Sequence, residues 1–188
     1  MSPKPLLLVN TNQEVSPEPV LPIGLLRVAD ACAAAGLDVR VLDLAFVSKP
    51  EAALQKAIGR FQPAMIGFGV RNLDNADARE PRFYVPFVAG LVRAAREATG
   101  VPMVAGGAGI SISPEACREA LGVDTVVAGP GEEALPALFA AAAAGEPLPP
   151  LRRSLAAPFE PAPHFGRWID IAPYRRRGTS LSVQSRRG

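Results

Sequence analysis

A chain of 188 residues, 48% hydrophobic and 20% charged, can bury one ordinary globular core with an extension to spare, and no apolar stretch approaches the roughly 18–20 residues that span a bilayer. The net charge of +2 conceals a division: residues 1–150 hold 12 basic and 16 acidic side chains, whereas residues 151–188 hold eight arginines against Glu160 and Asp170. Eight arginines without clustered aromatics or a recognition-helix pattern speak for a docking surface or an anionic partner and against nucleic acid.

Met1 to Lys4 lead straight into Leu6-Leu7-Leu8-Val9, without a secretory leader's layout, so a cytoplasmic protein is expected. That continuous apolar run reads as a parallel strand covered on both faces. After a polar, proline-bearing loop over 10–22, Ile23 to Ala35 carries Leu26, Ala29 and Ala33 at helical spacing and stops at Gly36. Leu37 to Leu42 is the second strand, and Pro50 in a first turn followed by Leu54, Ala57 and Ile58 predicts the second helix. Ala64 to Val70 is the third strand, in which Gly67 and Gly69 thin the side chains where the sheet meets a helix or a ligand.

The polar loop Arg71 to Arg82 precedes a third helix from about Phe83 to Thr99, closed by Gly100. Val101 to Ala105 is the fourth strand, running into Gly106-Gly107-Ala108-Gly109. Ser113 is placed to cap the next helix, Pro114 to occupy its first position, and Ile112 to staple onto Cys117. Asp124 to Ala128 is the fifth strand, and Gly129-Pro130-Gly131-Glu132-Glu133 opens a last helix through Ala144. Cys32 and Cys117 each stand alone within an apolar helical pattern, which predicts buried thiols and speaks against a disulfide framework or a cysteine metal site.

Five apolar strands alternating with five helices predict an α/β fold for residues 1–144, a doubly wound five-stranded parallel sheet in the flavodoxin-like, Rossmann-like order 2-1-3-4-5. Beyond it, Pro147, Pro149, Pro150, Pro158, Pro161 and Pro163 fall within 17 residues, so 145–178 read as a Pro/Arg-rich linker. The alternation over Ser180 to Ser185 predicts one final strand without a partner in the first domain.

Ligands of open parallel sheets bind beyond the carboxyl ends of the strands. The loops there are Arg71-Asn72-Leu73-Asp74-Asn75, Gly106-Gly107-Ala108-Gly109 and Gly129-Pro130-Gly131-Glu132-Glu133. Glycines at adjacent exits let a flat or elongated ligand approach the backbone, and free N–H groups at helix starts can receive its oxygens. The same glycines equally serve tight turns, and Glu132 and Glu133 suit the first turn of a helix at about 0.3–1 kcal/mol each without any ligand. Arg71 either pairs with Asp74 in a solvated loop or meets a ligand. The spacing over Gly106 to Gly109 is not G-x-G-x-x-G, and no Gly-Lys-Ser/Thr occurs, which weakens nicotinamide and nucleoside triphosphate readings.

Taken in order, Pro22-Ile23-Gly24-Leu25-Leu26, Gly69-Val70 with the Arg71–Asn75 loop, Val104-Ala105-Gly106-Gly107 and Ala128-Gly129-Pro130-Gly131-Glu132 resemble the N-terminal domain of cobalamin-dependent radical S-adenosylmethionine enzymes. The resemblance covers nearly the whole chain. Tyr174 and the run from Ser180 to Gly188 look like the first strand of that family's radical domain, where such an Arg-Gly precedes C-x-x-x-C-x-x-C. Those three thiolates hold a [4Fe–4S] cluster with one iron free for S-adenosylmethionine. The chain stops at Gly188, and Cys32 and Cys117 cannot replace the motif at their separation. The resemblance therefore implies a module that presents cobalamin to a radical S-adenosylmethionine domain of the same parent chain, residues 179–188 being its truncated start. Cluster and S-adenosylmethionine would belong to the full-length parent.

Corrinoid carriers of this fold place Asp-x-His-x-x-G after strand one to supply an axial imidazole, but here that region reads Asn10-Thr11-Asn12-Gln13, and the one histidine, His164, lies in the linker. The resemblance thus implies cobalamin without a histidine axial ligand. Its nucleotide tail would be detached from cobalt and threaded beside the sheet, with Arg71 or Leu73 over the lower face. Thr11, Asn12 and the three loops as far as Glu132 are the implied contacts. The parent's implied chemistry is methyl transfer to an unactivated carbon, with ring contraction or cyclisation as other reactions of such enzymes. Two other readings stand beside it: a free-standing corrinoid carrier or sensor with a basic docking tail, and a flavin- or nucleotide-binding doubly wound domain.

Overall fold

The computed structural model describes residues 4–155 and 165–179. Leu6-Leu7-Leu8-Val9 forms the wholly buried strand β1 (Leu6–Asn10), followed by α1 (Ile23–Ala34), β2 (Val39–Asp43), α2 (Pro50–Phe61) and β3 (Met65–Gly69). Then come α3 (Val85–Ala98), β4 (Met103–Gly106), α4 (Ala108–Ile112), α5 (Pro114–Leu121), β5 (Thr125–Ala128), α6 (Ala134–Ala143) and β6 (Leu151–Arg153). Two short helices, α7 (Phe165–Trp168) and α8 (Ala172–Arg176), complete the described chain. Proline occupies the first turn of α2, α3 and α5, where its missing N–H costs nothing.

The sheet is doubly wound and parallel as expected, but it has six strands in the order β2-β1-β3-β4-β5-β6, not five. The added strand comes from the proline-rich stretch. Pro149 and Pro150 stand just outside β6 and need no N–H, because their carbonyls do the pairing: Val126 N–H donates to Pro150 at 3.0 Å and the Thr125 hydroxyl to Pro149 at 2.8 Å. A three-residue edge strand is where such flanking prolines are tolerated. Residues 145–178, read from sequence as a linker, thus supply β6, α7 and α8, and place Ile169 and Tyr174 in an apolar cluster with Leu21, Leu26 and Ala45.

Strand alternation sorts the core into two layers. Leu7, Val9, Ile66, Phe68 and Ala105 face α2, α3 and α5, whereas Leu6, Leu8, Met65, Val104 and Val127 face α1 and α6. One local expectation fails. Residues 108–112 wind into their own turn, α4, which ends with Ile112 75% exposed, so no staple forms onto Cys117, and the Ser113 side chain makes no cap. The helix after the fifth strand, α6, begins at Ala134, leaving Glu132 and Glu133 ahead of it. His164 and Ser180 to Ser185 lie outside the described residues. Among the described residues no helix is long and apolar enough to cross a membrane.

Both cysteines are buried and unpaired, and burial pushes the Cys32 thiol from its ordinary 9.0 up to about 12, with Cys117 raised in the same direction. Ellman's reagent at about pH 8 should therefore find neither thiol in the native chain and both in denaturant, because only the exposed thiolate reacts. Above pH 9 the unfolded chain ionises Cys32 while the folded chain does not, so stability should fall as pH rises from 9 towards 12. Cys32→Ala should flatten that alkaline slope in urea melts; an unchanged slope would contradict the assignment.

Candidate functional site

The carboxyl edge of the sheet owes its shape to parity. Asn10, Gly69 and Gly106 stand in register across β1, β3 and β4, and one layer deeper Leu8, Gly67 and Val104 do the same. All six belong to the parity that faces α1 and α6. A Cβ at Gly67 would come within 2.8 Å of the Leu8 side chain and one at Gly69 within 2.9 Å of Leu25, while one at Gly106 would meet nothing nearer than Val127 at 3.6 Å. The floor is therefore glycine backbone against which the Leu8 and Leu25 side chains close, a position where glycine marks close approach.

Helix α1 walls this floor on one side with Ile23, Gly24, Leu25 and Val28, and Leu135 of α6 stands on the other. The resulting groove measures about 580 Å³, within the size of small-molecule sites, and its interior is mainly apolar. Polar groups gather at its rim: Asn10, Asn12, Arg71, Ser111 and Glu132.

Of the residues singled out from sequence, Asn12, Arg71, Gly106, Gly107 and Ala108 line the groove, and Gly129, Pro130, Gly131 and Glu132 close its far end. Thr11 and Asn72 line a smaller neighbouring cavity of about 310 Å³ that shares Asn12 and Arg71 with the groove. The Thr11 hydroxyl is engaged, donating to the Gly69 carbonyl at 2.8 Å. In the smaller cavity Tyr84 donates to Glu14 at 3.0 Å. The Ser16 N–H and this phenol hold the Glu14 carboxyl below its ordinary range, and burial together with Glu14 raises the Tyr84 phenol.

Leu73, Asp74, Asn75 and Gly109 line neither space. Leu73 packs against the core on the α2/α3 side. The Asp74 carboxylate accepts the Ala76 N–H at 2.8 Å, and Asn75 accepts the Arg82 N–H at 2.9 Å while donating to the Glu80 carbonyl, so both side chains are consumed in shaping their own loop. Gly109 donates its N–H to the Val70 carbonyl at 3.2 Å.

Two of the rim glycines have a backbone role. Gly107 has φ +113°, and a Cβ there would collide with the Val70 carbonyl; Gly129, at φ +92°, would strike that of Ser154. They let the β4 exit lie on the β3 exit and the β5 exit on the chain leaving β6. Ser111 ties the two loops, accepting the Gly129 N–H at 3.0 Å and donating to the Gly107 carbonyl at 3.1 Å.

Sequence reasoning missed the groove's interior, namely Leu8, Val28, Val104, Val127 and Leu135. The available signal was the shared parity of Gly67, Gly69 and Gly106 once the strands are set in register.

Residues 14–139 match the B12 binding domain family. The chain is 34% identical over 139 residues to tryptophan 2-C-methyltransferase of Streptomyces laurentii, covering 73% of this chain and 23% of that enzyme. Among solved structures it resembles the radical S-adenosylmethionine methyltransferase TsrM from Kitasatospora setae with tryptophan substrate and the analogue aza-SAM bound, at 35% identity and a TM-score of 0.72 over 76% of this chain and 26% of that one. The same enzyme with cobalamin and a [4Fe–4S] cluster bound matches at 34% identity and a TM-score of 0.72, over 77% of this chain and 25% of that one. The chain thus spans about a quarter of the length of these enzymes.

Two adjacent glycines should behave differently in urea melts. Gly107→Ala combines a left-handed φ with a backbone collision and should cost about 1–3 kcal/mol or more. Gly106→Ala meets only ordinary contact with Val127 and should stay within about 0.5 kcal/mol. Equal losses would show that Gly107 is not held by Val70.

Proposed function

The chain belongs to the B12-binding domain family, and from that premise we propose that the groove between the sheet, α1 and α6 takes the nucleotide tail of cobalamin while the rim carries the corrin ring. The observation that supports this placement most directly is the glycine floor of β3 and β4, which lets an elongated ligand lie against backbone inside a mainly apolar cleft. Asn12, Arg71 and Glu132 at the rim are the side chains suited to the ring's amide groups. Cobalamin held there supplies a cobalt centre that carries a methyl group from donor to acceptor.

The loop after β1 reads Asn10-Thr11-Asn12-Gln13, so on this reading the ring receives no histidine from below. Of the two residues considered for that face, Leu73 is packed into the core, whereas Arg71 is exposed and borders both the groove and the smaller cavity. We assign the lower face to Arg71, a cation without a lone pair that occupies space and excludes water without coordinating.

The parent protein, on this proposal, continues into a radical S-adenosylmethionine domain that begins at residues 179–188 and carries the [4Fe–4S] cluster, and it transfers methyl groups to an unactivated carbon. Support comes from the relatives, which are methyltransferases of which this chain covers 23–26%. Residues 6–144 would then be the cofactor shelf, in the cytoplasm, where the two free thiols stay reduced.

The test is to incubate the chain with hydroxocobalamin, desalt it and record the visible spectrum. Wild type should retain the corrinoid. Gly106→Leu should lose it while keeping a native circular dichroism spectrum, because the new side chain fills the floor. Arg71→Ala should retain it with an altered spectrum. Absence of retention by wild type, or undiminished retention by Gly106→Leu, would overturn the placement.

A further inference from the structure

The segment 165–179 returns to the domain at the groove, and its anchors end on residues that also line that groove. Tyr174, 1% exposed, donates its hydroxyl to one carboxylate oxygen of Asp43 at 2.8 Å. The other oxygen of Asp43 accepts the Asn10 side-chain N–H at 2.7 Å, and Asn10 stands in the groove wall. Asn10 and Asp43 are register partners at the ends of β1 and β2, so the three groups form one chain from the outside of the domain to the groove.

A second connection runs through apolar contact. Leu21 and Ile23 form the lip of the groove, and both belong to the cluster built on Ile169 and Tyr174. The Thr179 hydroxyl donates to the Pro19 carbonyl at 2.8 Å, fixing the chain just before that lip. Phe46 meets the Tyr174 ring edge-on at 4.7 Å, and Arg177 lies over Phe46 at 4.5 Å. Burial beside Asp43 holds the phenol far above its ordinary value, so it remains a donor at neutral pH.

We propose that Tyr174 is a positioning residue for the cofactor: through Asp43 it sets the Asn10 side chain in the groove wall, so that seating of residues 165–179 and occupancy by cobalamin strengthen each other. This rests on the assignment of the groove to cobalamin. The Asn10 side-chain oxygen accepts the Asn12 N–H at 3.3 Å, which together with the bond to Asp43 fixes the orientation of its amide. Loss of the Tyr174 hydroxyl leaves Asp43 Oδ2 without its buried donor, so the carboxylate is held at Oδ1 alone, by Asn10 and by the Ala45 N–H at 3.1 Å, and can pivot about that oxygen, loosening its grip on Asn10. Coupling between two sites is reciprocal, so a ligand that prefers the ordered wall also orders the segment.

The test uses the full 188-residue chain, hydrogen exchange of peptides within 165–179, and hydroxocobalamin retention read separately from the visible spectrum. In wild type, saturating hydroxocobalamin should slow exchange in this segment by about three- to tenfold. Tyr174→Phe keeps the ring packing and removes only the donor; it should weaken retention by about three- to tenfold and abolish the slowing. A purely structural tyrosine would lower the melting temperature yet leave the ligand-dependent slowing intact, and that result overturns the proposal. So does a wild type that retains hydroxocobalamin with exchange in 165–179 unchanged, a measurement that needs no variant. A wild type that retains none overturns the cobalamin assignment and this inference with it.

Discussion

In a parallel sheet covered on both faces, the parity of a residue within its strand decides which layer its side chain enters, and the rest of this molecule follows from where the small residues fall. Gly67, Gly69 and Gly106 share the parity of Leu8 and Val104, which faces α1 and α6. Had the glycines fallen on the other parity, they would have opened the layer beneath α2, α3 and α5, where Phe68, Val88 and Leu91 now fill a dry core. The groove exists because one face of β3 and β4 is stripped of side chains near its carboxyl end while the opposite face is not. The elements around it inherit that decision: α1 and α6 become walls, and the exits of β3, β4 and β5 become the rim.

The rim shows how one residue type serves two ends. Gly107 and Gly129 carry positive φ against neighbouring carbonyls and hold the loops together, whereas Gly67 and Gly69 make way for the Leu8 and Leu25 side chains and Gly106 leaves room above the sheet. All five border the groove. From sequence the two groups are alike, since both stand at or near the ends of apolar strands. Their separation requires knowing what lies within a few ångströms of the missing Cβ.

The alternation of strands and helices was legible because β1, β3, β4 and β5 are continuous apolar runs, which only a sheet covered on both faces needs. The sixth strand was illegible for the converse reason. Leu151-Arg152-Arg153 sits at an edge with two exposed arginines, and the prolines ahead of it take part through carbonyls, which a search for proline as a breaker does not register. At the site, the rim was readable from glycine-bearing loops, but its interior was not: Leu8, Val104 and Val127 look like any core residue until register puts them beside glycines. Asp74 and Asn75 show why short polar loop residues are ambiguous in a sequence: they suit a ligand and their own backbone equally, and here their side-chain oxygens accept backbone N–H groups of their own loop.

The α1 wall of the groove is held from two sides. Towards the sheet, Leu25 of α1 lies over Gly69, where a Cβ would come within 2.9 Å of it, and Ala29 and Cys32 pack with Leu6, Leu8 and Met65. A second set of contacts holds it from the opposite side. Trp168 donates its indole N–H to Asp30 of α1 at 2.7 Å, Arg167 stands 3.6 Å from the same carboxylate, and Leu26 of α1 is buried among Ile169 and Tyr174. At the groove's far end Gly131 approaches Val28 so closely that a Cβ there would lie 3.0 Å away. Residues 165–179 therefore brace the helix that walls the groove. The groove's α1 wall is thus held by a stretch of chain far along the sequence, Trp168 reaching back 138 residues to Asp30.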